Sequence, residues 1–307
     1  MKTAKAPNAK LARPVKGKGG IWPWLFVAPL LSGVAIFYYY PIIKNFYLSF
    51  TRSDAFGGSA KWVGLENYTD LFNRPDLASA TINTIIYTLA VVASIIISVL
   101  IAALIELSGL RGVRFYRTVF FMPYLAMPIA VSQVWKIIFN GNFGLFNQML
   151  KGLGVSNPPY WLSTPGFALA VVIFYGIWSS IGFNVIILSA GLKSIPHELY
   201  EAAAIDGAGR VKQFTAITIP LLTPSIFLLA IVTTIGGLQL FDSLFAIVGT
   251  ANPAMKDTRS LVYLFYNTAF ENNDKGGAAA IAVIILVMVA LVTLFQFVMQ
   301  KKWVRYV

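Results

Sequence analysis

Residues 198–220 read ELYEAAAIDGAGRVKQFTAITIP and form a charged segment within a long apolar region. The apolar stretches on either side, about residues 167–192 and 219–246, are each long enough to cross the hydrocarbon core of a bilayer. Charged side chains are costly inside hydrocarbon because they lose their hydration there. The charged segment therefore marks a place where the chain leaves the membrane and faces water.

The composition assigns the whole chain to the integral membrane class. Apolar residues make up 57% of the 307 residues, charged residues make up 12%, and the mean hydropathy is +0.71. A soluble protein of this length needs about twice that charge on its surface. The chain has no cysteine, which excludes disulfides, iron–sulfur clusters and thiolate metal sites.

Six apolar stretches are long enough to span the bilayer as helices. They cover approximately residues 22–43, 82–105, 118–138, 167–192, 219–246 and 277–300. The expected fold is all-α, with six transmembrane helices in a domain of residues 21–307. Residues 1–20 are basic and lack apolar periodicity, so we expect a disordered tail attracted to anionic lipid.

Basic residues predict the orientation, because Lys and Arg in short loops resist translocation. The two chain ends and the loops on their side carry fifteen Lys and Arg against four acids. The opposite loops carry eight basic residues against seven acids. We therefore expect both chain ends and the charged segment to be cytoplasmic, in a multi-pass protein of the cell membrane. The net charge of +12 reflects this orientation and does not indicate a nucleic-acid partner.

The charged segment begins with the signals of a short helix. Pro196 suits a helix start, Glu198 favours the positive first turn, and Gly207 suits the left-handed residue that ends a helix. A helix over about residues 196–206 is roughly 16 Å long, too short to span the bilayer. One of its faces, at i, i+3, i+4 and i+7 spacing, carries Leu199, Ala202, Ala203 and Asp206. Its small side chains would let another backbone approach closely.

The same residues carry a family resemblance. Glu201-Ala202-Ala203, three residues, Gly207, nine residues and then Ile217-x-Ile219-Pro220 resemble the EAA signature of permease subunits of binding-protein-dependent ABC importers. That signature reads EAA-x3-G-x9-I-x-L-P, and this chain departs from it only by Ile at position 219. Further segments resemble the carbohydrate-uptake branch, which includes the maltose permease subunits. They are residues 63–68, 83–88, 117–123 and 238–242.

The resemblance implies a type I importer permease fold and a mechanism. Residues 193–218 would be the coupling loop, with a coupling helix that docks into a cytoplasmic ATPase subunit. The residues implied to make this contact are Glu198, Glu201, Ala202, Ala203, Asp206 and Gly207. The partners implied are a second permease subunit, two ATPase subunits that bind ATP and Mg²⁺, and an extracellular or periplasmic solute-binding protein. No cofactor is expected in this chain, and its cargo would be a sugar, a di- or oligosaccharide. Polyols and glycerol phosphates are carried by the same scaffold, but the spans contain no basic cluster that favours a phosphorylated cargo.

Polar and aromatic residues within the spans are candidates for the substrate path, since a sugar needs hydrogen-bond partners and aromatic faces. The candidates are Asn83, Tyr87, Trp178, Ser179, Ser180, Phe183, Asn184, Gln239 and Asp242. Structural alternatives exist for several of them. Asp242 could instead pair with Lys136 or face water at the interface, and the two serines could permit close helix packing. Asn83 and Tyr87 could pin the second span rather than reach the cavity.

The sequence offers little support for two other function classes. A membrane enzyme needs an acid–base or metal constellation, yet the only histidine, His197, has no second ligand near it in the charged segment. An ion-coupled transporter or channel subunit is the alternative function, and such proteins carry several ionisable groups in their spans. Only Lys136 and Asp242 come near that description.

Overall fold

A computed structural model describes residues 20–52, 61–106 and 111–304 of the chain. The predicted disordered tail, residues 1–20, lies outside the described residues except for Gly20 and stays a prediction. The described residues divide into two compact units, one that ends at Asn45 and one that begins at Phe46.

The first unit contains helix α1 (Trp22–Val34), a π-helical turn (Ala35–Tyr39) and the beginning of helix α2 (Tyr40–Ser49). The backbone N–H of Tyr40 donates to the carbonyl of Ala35, five residues earlier. Pro41 follows directly. In a regular α-helix a proline ring clashes with the carbonyl of the residue four positions earlier. The π-turn absorbs this conflict without ending the helix.

The second unit holds a short antiparallel hairpin and thirteen helices that begin and end within the described residues. The hairpin strands are β1 (Thr51–Arg52) and β2 (Lys61–Trp62). The helices are α3 (Glu66–Phe72), α4 (Pro75–Ile105), α5 (Val113–Leu125), α6 (Pro128–Ile138), α7 (Leu145–Gly152), α8 (Phe167–Lys193), α9 (His197–Ile205), α10 (Arg210–Gln213), α11 (Ile219–Leu238), α12 (Asp242–Ile247), α13 (Met255–Thr258), α14 (Leu261–Tyr266) and α15 (Lys275–Trp303). Two further π-turns cover Phe214–Thr218 and Asn267–Glu271.

Among the described residues, five continuous helical stretches are long and apolar enough to cross a membrane. They are Trp22–Ser49, Pro75–Ile105, Phe167–Lys193, Arg210–Leu238 and Lys275–Trp303. Helices α5 and α6 form a sixth candidate, although they meet at 94°. Counting this bent pair as one span gives the six that the sequence predicts.

Two stretches predicted as single spans are broken in the structure. The helix over residues 118–138 breaks at Met127, because a residue before proline disfavours the helical region and Met127 adopts ψ 118° ahead of Pro128. The stretch over residues 219–246 ends as a helix at Leu238 and resumes as α12. Between them, Phe241 has φ −144°, and the hydroxyl of Ser260 donates to the carbonyl of Leu240 at 2.5 Å.

The core of the second unit lies where α4, α8 and α11 pack together, with α5 against α8. One buried cluster is formed by aliphatic side chains of these helices, among them Ile95, Val185, Leu188 and Leu222. Gly182 on α8 permits the close approach of α5, since a Cβ there would lie 2.3 Å from the carbonyl oxygen of Phe120. Small residues at helix contacts are typical of membrane bundles.

Candidate functional site

Helix α9 is the short helix of the charged segment. It covers His197–Ile205, so Pro196 and Asp206 flank it as cap residues instead of lying inside it as the sequence predicts. Pro196 has ψ 132°, which turns the chain sharply away from α8 before the helix begins. Glu198 lies in the first turn, where the positive end of the helix dipole favours a carboxylate.

Gly207 ends α9 in the left-handed conformation that the sequence predicts, with φ +76°. The N–H of Gly207 donates to the carbonyl of Ala204 at 3.0 Å, and the N–H of Ala208 donates to that of Ala203 at 2.8 Å. This pair of bonds is a Schellman motif. No heavy atom lies within 4 Å of the position that a Cβ on Gly207 would take. Glycine is therefore required by the backbone angle and not by lack of space.

Helix α9 presents apolar side chains to water. On the predicted docking face, Leu199 is 41% exposed, Ala202 and Asp206 are exposed, and Ala203 is half-buried. Beside it, Ile205 is 87% exposed. Large apolar side chains grouped on a polar surface are typical of a protein contact. Leu199, Ala202, Ala203 and Ile205 are called the coupling patch below.

Charged groups border the coupling patch. Glu201 is exposed, and its carboxylate accepts from Nδ1 of His197 at 3.1 Å, one turn earlier on the same helix. Such an exposed pair contributes little to stability. Glu198 and Asp206 are exposed as well. The acids of α9 are thus available to a partner.

Four of the predicted substrate-path residues join helices instead of facing open space. Asn83 is buried, and its Nδ2 donates to the carbonyls of Asp257 at 2.7 Å and Arg259 at 3.1 Å. This pins α4 to the end of α13 and the residue after it. Tyr87 is also buried, in the cluster that contains Tyr175 of α8. These contacts are of the kind expected for the pinning alternative, and the substrate-path role of both residues stays a prediction.

Asn184 and Ser180 connect α8 to α4. Asn184 is 1% exposed, and its Nδ2 donates to Oγ of Ser98 at 3.3 Å. The hydroxyl of Ser180 lies 3.0 Å from the hydroxyl of Ser94. Polar bonds between spans hold neighbouring helices together in lipid. These two predicted path residues therefore have an interhelical role in this structure.

The other five predicted path residues are more accessible. Trp178 is 38% exposed and lies 5.5 Å, centroid to centroid, from Trp135 on α6. Phe183 stacks on Tyr124 at 5.0 Å, and Ser179 is half-buried. Gln239 and Asp242, at the break between α11 and α12, are both exposed.

Asp242 does not form the predicted alternative pair with Lys136. Within the described ranges no ion pair involves Asp242, and the ammonium of Lys136 lies 3.7 Å from the position of a Cβ on Gly249, at the far end of α12. Helices α6 and α12 are joined by Gln133, whose Nε2 donates to the carbonyl of Ala246 at 3.3 Å. Trp178 on α8 and Asp242 on α12 thus lie on helices that pack into one buried cluster, and Trp135 of α6 packs against the same cluster.

Comparison with known proteins identifies the family. The model of the family "binding-protein-dependent transport system inner membrane component" matches residues 22–305.

The chain belongs to this permease family.

Curated relatives agree with this membership. The permease is 34% identical to the sn-glycerol-3-phosphate transport system permease protein UgpA of Brucella abortus biovar 1 (strain 9-941) over 288 residues, 93% of this chain and 97% of the relative. It is 35% identical to the protein of the same name from Agrobacterium fabrum (strain C58 / ATCC 33970) over 290 residues, with the same coverage of both chains. The permease is a multi-pass inner-membrane protein.

Solved structures share its fold. A chain of a bacterial ABC transporter involved in the import of the acidic polysaccharide alginate superposes with a TM-score of 0.81, at 22% identity, over 93% of this chain and 97% of its own. A second structure, of the alginate transporter in complex with an alginate pentasaccharide-bound periplasmic protein, gives 0.80 at 22% identity over 92% and 95%. The predicted type I permease fold is confirmed.

Sequence reasoning missed two exposed apolar residues of the permease's coupling loop and one aromatic residue. Ile205 and Val211, the latter 79% exposed, are large apolar side chains within a segment predicted to face water. The signal that could have identified them is the presence of large apolar side chains in a segment expected to face water. Trp135 was missed because it contacts Trp178 from another helix, and sequence spacing does not show contacts between helices.

Proposed function

We propose that this permease is one membrane-spanning subunit of an ATP-driven importer that passes a sugar, delivered by an extracellular solute-binding protein, into the cell. Two separate ATPase subunits bind ATP and Mg²⁺ and hydrolyse the nucleotide. The coupling patch on α9 docks into one of them. ATP-driven closure of the ATPases then rocks the spans between inward-open and outward-open states.

The observation that carries this proposal is the coupling patch within a matching EAA signature. Ile205 is 87% exposed on a short helix whose end is fixed by Gly207. Grouped apolar side chains exposed to water are typical of a surface that a partner protein covers. The excess of basic residues on the same side of the chain supports a cytoplasmic position for that partner.

The sequence supports ATP binding by a separate subunit. A nucleotide-binding loop needs the pattern G-x-x-x-x-G-K-[ST], and the 307 residues contain no such pattern. One EAA signature is present, so one ATPase can dock on this chain. A second ATPase then requires a second, homologous permease subunit.

The proposed cargo is a di- or oligosaccharide. Sugars bind where aromatic faces meet a few polar groups. Trp178 supplies an exposed aromatic face beside Trp135, and the exposed amide of Gln239 and carboxylate of Asp242 supply hydrogen-bonding groups. The solved relative named for alginate supports a saccharide of several units.

A polyol phosphate is the second candidate cargo, because the curated relatives are named for sn-glycerol-3-phosphate. Lys136 is exposed on α6 next to the aromatic pair and could neutralise an anion there. Uptake of radiolabelled maltose and of radiolabelled glycerol-3-phosphate, compared in cells with and without the permease, separates the two cargo classes.

The docking step is testable because the chain has no cysteine. Ala202→Cys introduces a single thiol into the coupling patch. With the permease co-expressed with its ATPase, each ATPase carrying one cysteine in turn near its permease-facing groove, we expect a disulfide between the two chains under mild oxidation.

Lys256→Cys is the matched control, an equally exposed position on α13 at the opposite side of the predicted membrane. It should give no disulfide with the ATPase. Crosslinking from Lys256→Cys and none from Ala202→Cys would overturn both the docking site and the orientation.

A further inference from the structure

Helix α9 is linked to the spans by one side-chain hydrogen bond. Tyr200, half-buried on α9, places its Oη 2.9 Å from Oγ1 of Thr218. Thr218 is only 6% exposed. Among the described residues, this is the one hydrogen bond from a side chain of α9 to another helix. The second side-chain bond of α9, between His197 and Glu201, stays within the helix.

A cavity of about 790 Å³ lies beside this bond. Its lining includes Glu106 after the end of α4, Lys193 at the end of α8, and both Tyr200 and Thr218. This space separates part of α9 from the ends of the spans. The Tyr200–Thr218 bond crosses beside it and gives α9 a direct side-chain link to the start of α11.

Thr218 occupies a special place in the backbone. It is the last residue of the π-turn Phe214–Thr218 and directly precedes α11, so α10, the π-turn and α11 form one continuous helix. The N–H of Ile219 donates to the carbonyl of Phe214, five residues earlier. As at Pro41, a proline follows at once, here Pro220, and the π-turn accommodates it. A wide turn next to a proline is where a helix bends most readily.

We propose that Tyr200 is a positioning residue whose hydrogen bond to Thr218 transmits the movement of α9 to α11, with the π-turn as the hinge. This inference rests on the proposed function, because it needs an ATPase to move α9. When the ATPase displaces α9, the bond carries the displacement to the first residue before α11. The spanning helix then turns about the π-turn, and its far end at Gln239 changes its access to solvent.

The reporter for this movement is a single cysteine at the outer end of α11. In the purified complex with its ATPases, Gln239→Cys is reacted with a membrane-impermeant maleimide, first without nucleotide and then with ATP and vanadate. In the otherwise unchanged chain, we expect trapping with vanadate to change the labelling rate. This readout needs neither the cargo nor the binding protein.

Tyr200→Phe removes only the hydroxyl, and Thr218→Val replaces the hydroxyl with a methyl group of similar size. Each should reduce the vanadate-induced change in labelling about fivefold, the effect expected for one lost hydrogen bond. The double variant should be no worse than either single variant, because both remove the same bond. Thr218→Ser keeps a hydroxyl and should restore the response.

Tyr68→Phe is the matched control. The hydroxyl of Tyr68 donates to Oγ of Ser49 at 2.8 Å, and neither residue belongs to the coupling loop. This variant should leave the response unchanged. The inference is overturned if Tyr200→Phe responds like the unchanged chain while Ala202→Cys still crosslinks to the ATPase. If Tyr200→Phe fails to assemble, equal responses of Thr218→Val and Thr218→Ser overturn it. If Ala202→Cys gives no crosslink in a chain with no other substitution, that result would instead contradict the proposed function.

Discussion

Backbone conformation at a single residue sets the direction in which the coupling loop continues after α9. Gly207 has φ +76°, a region that L-residues with a Cβ avoid. Since space around it is open, the effect of a substitution there measures conformational preference alone. Few positions in a membrane protein allow so direct a separation of strain from crowding.

Gly207→Val should weaken coupling, because a β-branched residue is strained in the left-handed region by about 1 kcal/mol or more. The Schellman motif would open, and α9 would no longer present the coupling patch in the same direction. We expect less Ala202→Cys crosslinking and less transport. Gly207→Asn is the control, since asparagine tolerates this region, and it should stay close to the unchanged chain. Equal activity of the two variants would contradict a conformational role.

Glu201→Lys tests the charge beside the coupling patch. The carboxylate of Glu201 is exposed, and among the described residues its one ion pair is with His197 on its own helix, so its replacement should leave the thermal stability of the permease unchanged. Transport should fall, because the docking surface would present the opposite charge to the ATPase. Glu201→Gln should have a smaller effect. A normal transport rate in Glu201→Lys, measured alongside its melting temperature, would argue against this contact.

At the scale of helices, the sequence predicts the spans well, but it does not show which partners the polar residues within them bond to. Apolar runs report burial in lipid directly, so each span contains helix where it was expected. Asn184 was predicted to line the path, but Ser98 of α4 receives its hydrogen bond. The partner lies 86 residues away in sequence, and nothing local in either helix shows the pairing. The break at Met127 was missed although Pro128 is its local signal.

Asn83→Ala tests the distinction between pinning and path residues. It leaves the carbonyls of Asp257 and Arg259 without the amide that binds them, which should destabilise the permease by about 1–3 kcal/mol. The Michaelis constant for cargo should not change. Trp178→Ala is the contrasting variant, expected to weaken cargo affinity with less effect on melting temperature. A raised Michaelis constant in Asn83→Ala would return this residue to the substrate path.

At the scale of the whole molecule, the chain combines a lipid-embedded helical bundle with a small water-facing loop. The short helix α9 could be predicted to within one residue at each end, because its signals are local caps and spacing. Its docking role stays a prediction. The contact between Tyr200 and Thr218 could not be predicted, since it depends on how the π-turn before Pro220 orients the loop. Function in this account depends on the loop and the bundle moving together.

ATP-dependent uptake into proteoliposomes separates an ATP-driven importer from an ion-coupled transporter. The complete complex is reconstituted with the solute-binding protein outside and ATP inside, and uptake of labelled maltose and labelled glycerol-3-phosphate is followed. We expect uptake of one of them to require both ATP and the binding protein and to continue when an ionophore collapses ion gradients. Uptake that persists without ATP and stops with the ionophore would contradict this expectation and establish the ion-coupled alternative.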